Sequence, residues 1–121
     1  MAIILIADDD RVSRAILSGI LGDMGHKVEE VSDGVQALER CLKETFDLVF
    51  MDIFMPEKDG LQTIKSLAEK KPELRVVPMS GGSTFTSTEP LKWSKRYGTT
   101  HIVAKPFDEN AVKTVVKELL G

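Results

Sequence analysis

Residues 2–10 read AIILIADDD, a continuous apolar run with three isoleucines that breaks off into three consecutive aspartates. A run of that length with no polar alternation suits a β-strand covered on both faces, the kind that builds parallel sheets. The signature recurs at 47–52, where DLVFM runs into Asp52, and at 74–80, where LRVVPM runs into Ser80 with Gly81 and Gly82 behind it. A shorter run at 101–104 leads into Lys105 and Pro106, and residues 26–31 alternate enough to make a further strand.

The stretches between these runs carry helical spacing. Val12, Ala15, Ile16, Ile20 and Met24 recur on one predicted helix face, with Gly25 as a stop. Ser32, Asp33 and Gly34 open a second helix with Val35, Leu38 and Leu42 on one side. The segment DIFMPEKDG at 52–60 is too rich in Pro, Gly and charge to be regular. A third helix carries Leu61, Ile64, Leu67 and Ala68 and is closed by Lys70, Lys71 and Pro72. Residues 81–98, GGSTFTSTEPLKWSKRYG, predict a mobile loop and a short helix starting near Pro90. Asp108 begins a last helix with Val112, Val115, Val116 and Leu119 inward. Strand and helix alternate about five times, which predicts an α/β domain with a parallel sheet and helices on both faces. Pro78, inside the fourth strand, cannot donate a ladder hydrogen bond, so a bulge or a missing bond is expected there.

The bulk numbers bound the function. At 121 residues the chain has room for one domain spanning 1–121, and 42% apolar with 29% charged residues is ordinary for a globular protein. A formal net charge of −3 gives no electrostatic reason to expect nucleic acid or an anionic membrane as partner; KWSKR at 92–96, the densest basic cluster, reads as a solvated helix face. The single cysteine, Cys41, precludes an intrachain disulfide, fits a reducing cytoplasm and sits in a packing position. No apolar run is long enough to span a membrane, and MAIILIADDD lacks the basic start of a signal peptide.

In a parallel sheet built with right-handed crossovers, every strand's C-terminal end lies on the same edge, where ligands bind. Asp8, Asp9 and Asp10 follow the first strand, Asp52 the third, Ser80 the fourth and Lys105 the fifth; after the second come only Ser32 and Asp33. Taken singly, each suits a helix cap or a turn. Together they make a set with chemical sense. Converging carboxylates repel unless a hard cation joins them, and carboxylates with water suit magnesium. A lysine ammonium and a serine hydroxyl can grip the oxygens of a phosphoryl group while a carboxylate acts as nucleophile.

From ILIADDD through DLVFMDIFMPEKDG to VAKPF, the whole chain resembles a response-regulator receiver domain. The resemblance implies a flavodoxin-like (βα)5 fold, a three-layer sandwich around a parallel sheet in the order 2-1-3-4-5. It implies Asp52 as phosphoacceptor, taking its phosphoryl group from a histidine kinase or phosphotransfer protein. Asp8, Asp9, Asp52 and the backbone carbonyl of Phe54 become ligands of Mg2+. Ser80 becomes the switch hydroxyl, Lys105 the phosphoryl contact, and Pro56 with Gly60 the shapers of the turn into the third helix. The domain would catalyse only its own phosphorylation and dephosphorylation. It would signal to a downstream protein through the face made by the helix near Pro90, the fifth strand and the last helix.

Ile102 stands where the family usually has an inward-turning aromatic, and His101 beside it should face the opposite side of the strand. Tyr97 is a candidate substitute. Phe54 and Gly82 fall where the family tunes phosphoryl lifetime, and slow self-dephosphorylation is expected. The competing expectations are a haloacid-dehalogenase-type phosphotransferase, which needs a second aspartate where Phe54 stands, and a flavin site, which needs a glycine- and hydroxyl-rich loop where DDDRVSR stands. A third is a receiver-like interaction module that works unphosphorylated.

Overall fold

The computed structural model describes residues 1–53, 60–80 and 98–120. Phe54, Pro56, Gly82, the 81–90 loop, the helix expected near Pro90 and Tyr97 lie outside the described residues.

Five strands form one sheet: β1 (Ile3–Ala7), β2 (Lys27–Val31), β3 (Leu48–Asp52), β4 (Val76–Ser80) and β5 (Val103–Ala104). Each neighbouring pair is parallel and the order is β2-β1-β3-β4-β5, as expected. The helices are α1 (Arg11–Asp23), α2 (Gly34–Lys43), α3 (Gly60–Lys70) and α4 (Glu109–Leu120). Side-chain alternation along the strands splits the core in two. Ile4, Ile6, Phe50, Val77 and Met79 pack with Leu17 and Leu21 of α1 and Val112 and Val116 of α4. Leu5, Ala7, Val49 and Met51 pack on the other face with Ala37 and Cys41 of α2 and Ile64 and Leu67 of α3. The result is three layers with the sheet in the middle. Burial pushes the Cys41 thiol up to about 11, consistent with a packing role.

Two helix faces differ from the sequence expectation. On α1 the buried row is Ser13, Leu17 and Leu21, while Val12 and Ile16 are exposed and only Ile20 and Met24 lean on the core. On α2 the buried row is Gly34, Ala37 and Cys41, and Val35 and Leu42 face outward, with Leu38 half-buried. In both, the row against the sheet includes residues that are small or polar yet satisfied, so the helix lies close. The Ser13 hydroxyl, for instance, donates to Asp10 Oδ2 at 2.8 Å. The expected faces of α3 and α4 hold for Ile64, Leu67, Val112, Val115 and Val116. Gly25 does stop α1: its φ of 90° lies in the left-handed region, and its N–H donates to Gly22 O at 2.9 Å.

Pro78 makes no bulge. The β3–β4 register runs through Met51↔Pro78 to Asp52↔Met79 without an extra residue. Arg75 O and Met79 O accept from Val49 N and Ile53 N on β3, whereas Ser80 O accepts from Lys105 N beyond β5. Backbone groups alternate sides along a strand, so Pro78 turns its missing donor toward β5, not toward β3. The ladder to β5 starts only at Met79↔Val103, so the strand is two residues long instead of the four expected at 101–104. Central pairing is intact and the defect falls on the edge strand, where proline is tolerated.

Candidate functional site

Because the chain crosses from β2 back over β1 to reach β3, the C-terminal ends of β1 and β3 flank the switch point of the sheet. Asp8 follows β1 and Asp52 ends β3, so the two face each other there. Asp8 is fully buried and Asp52 nearly so; Asp9 is exposed. One carboxylate oxygen from each of Asp8, Asp9 and Asp52 lies within 4.8 Å of the others.

Lys105, just past β5, reaches into this cluster. Its ammonium lies 2.6 Å from Asp8 Oδ2 and donates to Asp52 Oδ2 at 3.0 Å. Burial works against its charge, but the two carboxylates outweigh that and hold its pKa above the ordinary lysine value. The approach to Asp8 is close but poorly directed, so the buried Asp8 Oδ2 has an ion pair and no aligned hydrogen bond. Ser80, buried at the end of β4, sits one residue past the Asp52↔Met79 pair, and its carbonyl accepts from Lys105 N at 2.9 Å. Thus four strand ends bring Asp8, Asp9, Asp52, Ser80 and Lys105 to one edge, and the Lys105–Pro106 peptide there is cis.

Not every acidic residue joins. Asp10 caps α1: its Oδ2 accepts from the Ser13 hydroxyl and its Oδ1 from Val12 N at 3.1 Å, and these bonds hold its carboxyl below the usual range. Asp33 likewise caps α2 by accepting from Gln36 N at 2.8 Å. His101 turns toward α4, where its Nε2 lies 2.7 Å from Glu118 Oε2. Two residues act more closely at the site than the sequence suggests. Gly60 opens α3 directly against Asp52, and a Cβ there would meet the Asp52 carbonyl oxygen at 1.8 Å. Close approach, rather than a turn conformation, is what requires glycine. Arg14 carries no signal in the sequence; its Nη1 donates to the Asp8 carbonyl at 2.6 Å. A contact to a backbone carbonyl leaves no motif among residue types.

The family described as response regulator receiver domain matches residues 4–117. The chain belongs to that family. It is a receiver domain of the two-component response regulators. Relatives carry such a domain in differing contexts. The transcriptional regulatory protein ZraR of Klebsiella oxytoca is 35% identical over 119 residues, 98% of this chain but 26% of that protein. Sporulation initiation phosphotransferase F of Bacillus subtilis is 31% identical over 117 residues, 97% of this chain and 92% of its own. Among solved structures, the receiver domain of NtrX from Brucella abortus has a TM-score of 0.88 at 31% identity and 97% coverage of both chains. A CheY-like receiver domain protein from Methanospirillum hungatei has a TM-score of 0.91 at 25% identity, over 99% of this receiver and 94% of its own chain. The receiver thus spans about a quarter of ZraR's length and nearly all of the phosphotransferase's. Among the described residues no helix is long and apolar enough to cross a membrane.

Proposed function

We propose that this receiver domain, residues 1–121, accepts a phosphoryl group on Asp52 from a histidine kinase or phosphotransfer protein, with Mg2+ held by Asp8, Asp9 and Asp52. The observation that carries the reading is the Lys105 ammonium lodged between Asp8 and Asp52 in a cluster of three carboxylates. A lysine alone leaves this cluster with excess negative charge, and the buried Asp8 Oδ2 retains coordination capacity with no aligned donor. Oxygen donors of this kind fit a hard divalent cation. Phe54 would add its carbonyl.

When bound, Mg2+ would offset charge on the transferring group. The rest falls to the chain. An oxygen of the ionised Asp52 carboxylate would attack phosphorus as the bond to the donor nitrogen breaks, and the imidazole, already carrying a proton on its other ring nitrogen, would depart neutral. Lys105, already within hydrogen-bonding distance of Asp52 Oδ2, grips an oxygen of the arriving group. The Ser80 hydroxyl, at the end of β4, would bond another and carry the change into the chain beyond that strand. The domain would act only on itself, in the cytoplasm. Its output would pass to a downstream protein through the face of β5, α4 and the segment before β5, or the phosphoryl group would move onward, as the name of the Bacillus phosphotransferase suggests.

The test is intact mass after incubation with Mg2+ and acetyl phosphate, with Asp52→Asn and a chelator as controls. Gain of one phosphoryl group, lost in both controls, is expected. No gain despite normal Mg2+ binding would overturn phosphorylation in favour of an interaction module, a role compatible with Ile102 in place of the aromatic.

A further inference from the structure

We propose that Arg14 is a positioning residue for the acidic site: by gripping the Asp8 carbonyl, it sets the orientation in which Asp8 and Asp9 present their carboxylates to a divalent cation. The inference rests on the proposed Mg2+ site.

Asp8 lies one residue past the end of β1, with no pairing partner of its own. Its backbone is nevertheless tied on both sides. Its N–H donates to Val31 O of β2 at 3.2 Å, and its carbonyl accepts from Arg14 Nη1 at 2.6 Å. Its Oδ1 also accepts from Asp10 N at 2.9 Å. The Asp8 carbonyl and the Asp9 N–H belong to one rigid peptide plane. Fixing that carbonyl therefore fixes where the N and Cα of Asp9 stand, and so the point from which its side chain leaves. Asp9 needs this help more than Asp8 does, being the exposed member of the cluster.

Arg14 is itself held. Its Nε donates to Glu30 Oε1 at 3.2 Å, and its side chain is only 18% exposed. A planar guanidinium can serve the carbonyl and the carboxylate at once, which a lysine ammonium on a flexible stem does poorly. The Arg14–Glu30 pair alone would be a half-exposed salt bridge of little consequence. The contact to Asp8 is what gives it a task.

Charge and position predict opposite signs. A cation beside carboxylates weakens binding of a second cation, so if Arg14 acted only through charge, its removal would tighten Mg2+. If it positions, its removal loosens Mg2+. Mg2+ affinity would be measured by NMR titration for wild type, Arg14→Met and Arg14→Lys, with the Asp8 carbonyl-carbon shift recorded in metal-free protein. Arg14→Met is expected to bind about tenfold more weakly, the low end for partners that orient metal ligands. Its Asp8 carbonyl signal should move before any metal is added. Arg14→Lys should fall between, at unchanged charge. Equal or tighter binding in Arg14→Met overturns the inference while leaving the metal reading in place. Should Arg14→Met not fold, Arg14→Lys decides: affinity equal to wild type overturns it. If wild type takes up no Mg2+, the metal reading fails and this inference falls with it.

Discussion

Gly60→Ala and Gly19→Ala are the same substitution in two helices, and the structure gives them opposite signs. At Gly60 the added Cβ would lie 1.8 Å from Asp52 O, 2.7 Å from Asp52 C and 2.8 Å from Ile53 Cα, all backbone atoms of β3 or its continuation. No rotamer relieves that. α3 must retreat from the sheet by more than an ångström, which breaks the 2.9 Å bond from Gly60 N to Ile53 O and unpacks Ile64 and Leu67. A lost hydrogen bond costs about 1 kcal/mol and forced overpacking about 1–3 kcal/mol more, so a loss of about 3 kcal/mol is expected. Gly19 lies inside α1 with nothing within 4 Å of its would-be Cβ. There alanine recovers helix propensity worth about 0.5–1 kcal/mol. Urea unfolding followed by far-UV circular dichroism reads both. With a slope of about 1.5–2 kcal/mol/M, Gly60→Ala should lower the midpoint by about 1.5–2 M and Gly19→Ala raise it by about 0.3–0.7 M. A Gly60→Ala midpoint within about 0.3 M of wild type would refute the close approach of α3 to Asp52. A lowered midpoint for Gly19→Ala would refute the open surface over α1.

Three further outcomes are expected. Ile16→Ala should change stability by no more than about 0.5 kcal/mol, whereas Leu17→Ala, one position on and fully buried, should cost about 3 kcal/mol by the same assay; the reverse order would mean α1 is rotated. Pro78→Ala restores an N–H aimed at β5, and hydrogen exchange should show a newly protected amide at 78; exchange there at the solvent rate would overturn the assignment of sides along β4. Burial lifts the Cys41 thiol from an ordinary 9.0 to about 11, so the folded protein keeps a proton that the unfolded chain has lost. That stability is complete below the unfolded value and drains away as pH rises through the folded one. Wild type should therefore lose on the order of 2 kcal/mol more than Cys41→Ala between pH 9 and 11, and parallel losses would refute it.

The strands and their order of use were readable because a strand covered on both faces has no polar residue to spare, and the apolar runs AIILIA, LVFM and VVPM have none. The site was readable for the same reason: Asp8, Asp52, Ser80 and Lys105 stand where apolar runs stop. Among the three aspartates, only the hydrogen bonds distinguish the cap Asp10 from the other two. The faces of α1 and α2 were misread for different reasons. On α1 two apolar rows compete, and the one through Leu17 and Leu21 lies on the sheet while Val12 and Ile16 stay outside. On α2 apolar spacing favours large side chains, whereas the sheet selects the row that lets the helix come close. Gly34, Ala37 and Cys41 are buried by being small, and Val35 and Leu42 are left outside. Arg14 and the tightness at Gly60 involve backbone partners, which residue types do not announce.

Both borders of the sheet are guarded against recruiting another chain. An edge strand with free N–H and C=O groups is a template on which a foreign strand can grow, and length is what makes it effective. On the β5 side the donor that Pro78 lacks keeps the pairing to two residues. On the β2 side the strand KVEEV puts three charges in five positions, with Glu29 paired to Arg40 from one face and Glu30 to Arg14 from the other. The arginine that holds the Asp8 carbonyl thus also keeps a charge fixed on the sheet's border, tying the order of the acidic strand end to the protection of the sheet's edge.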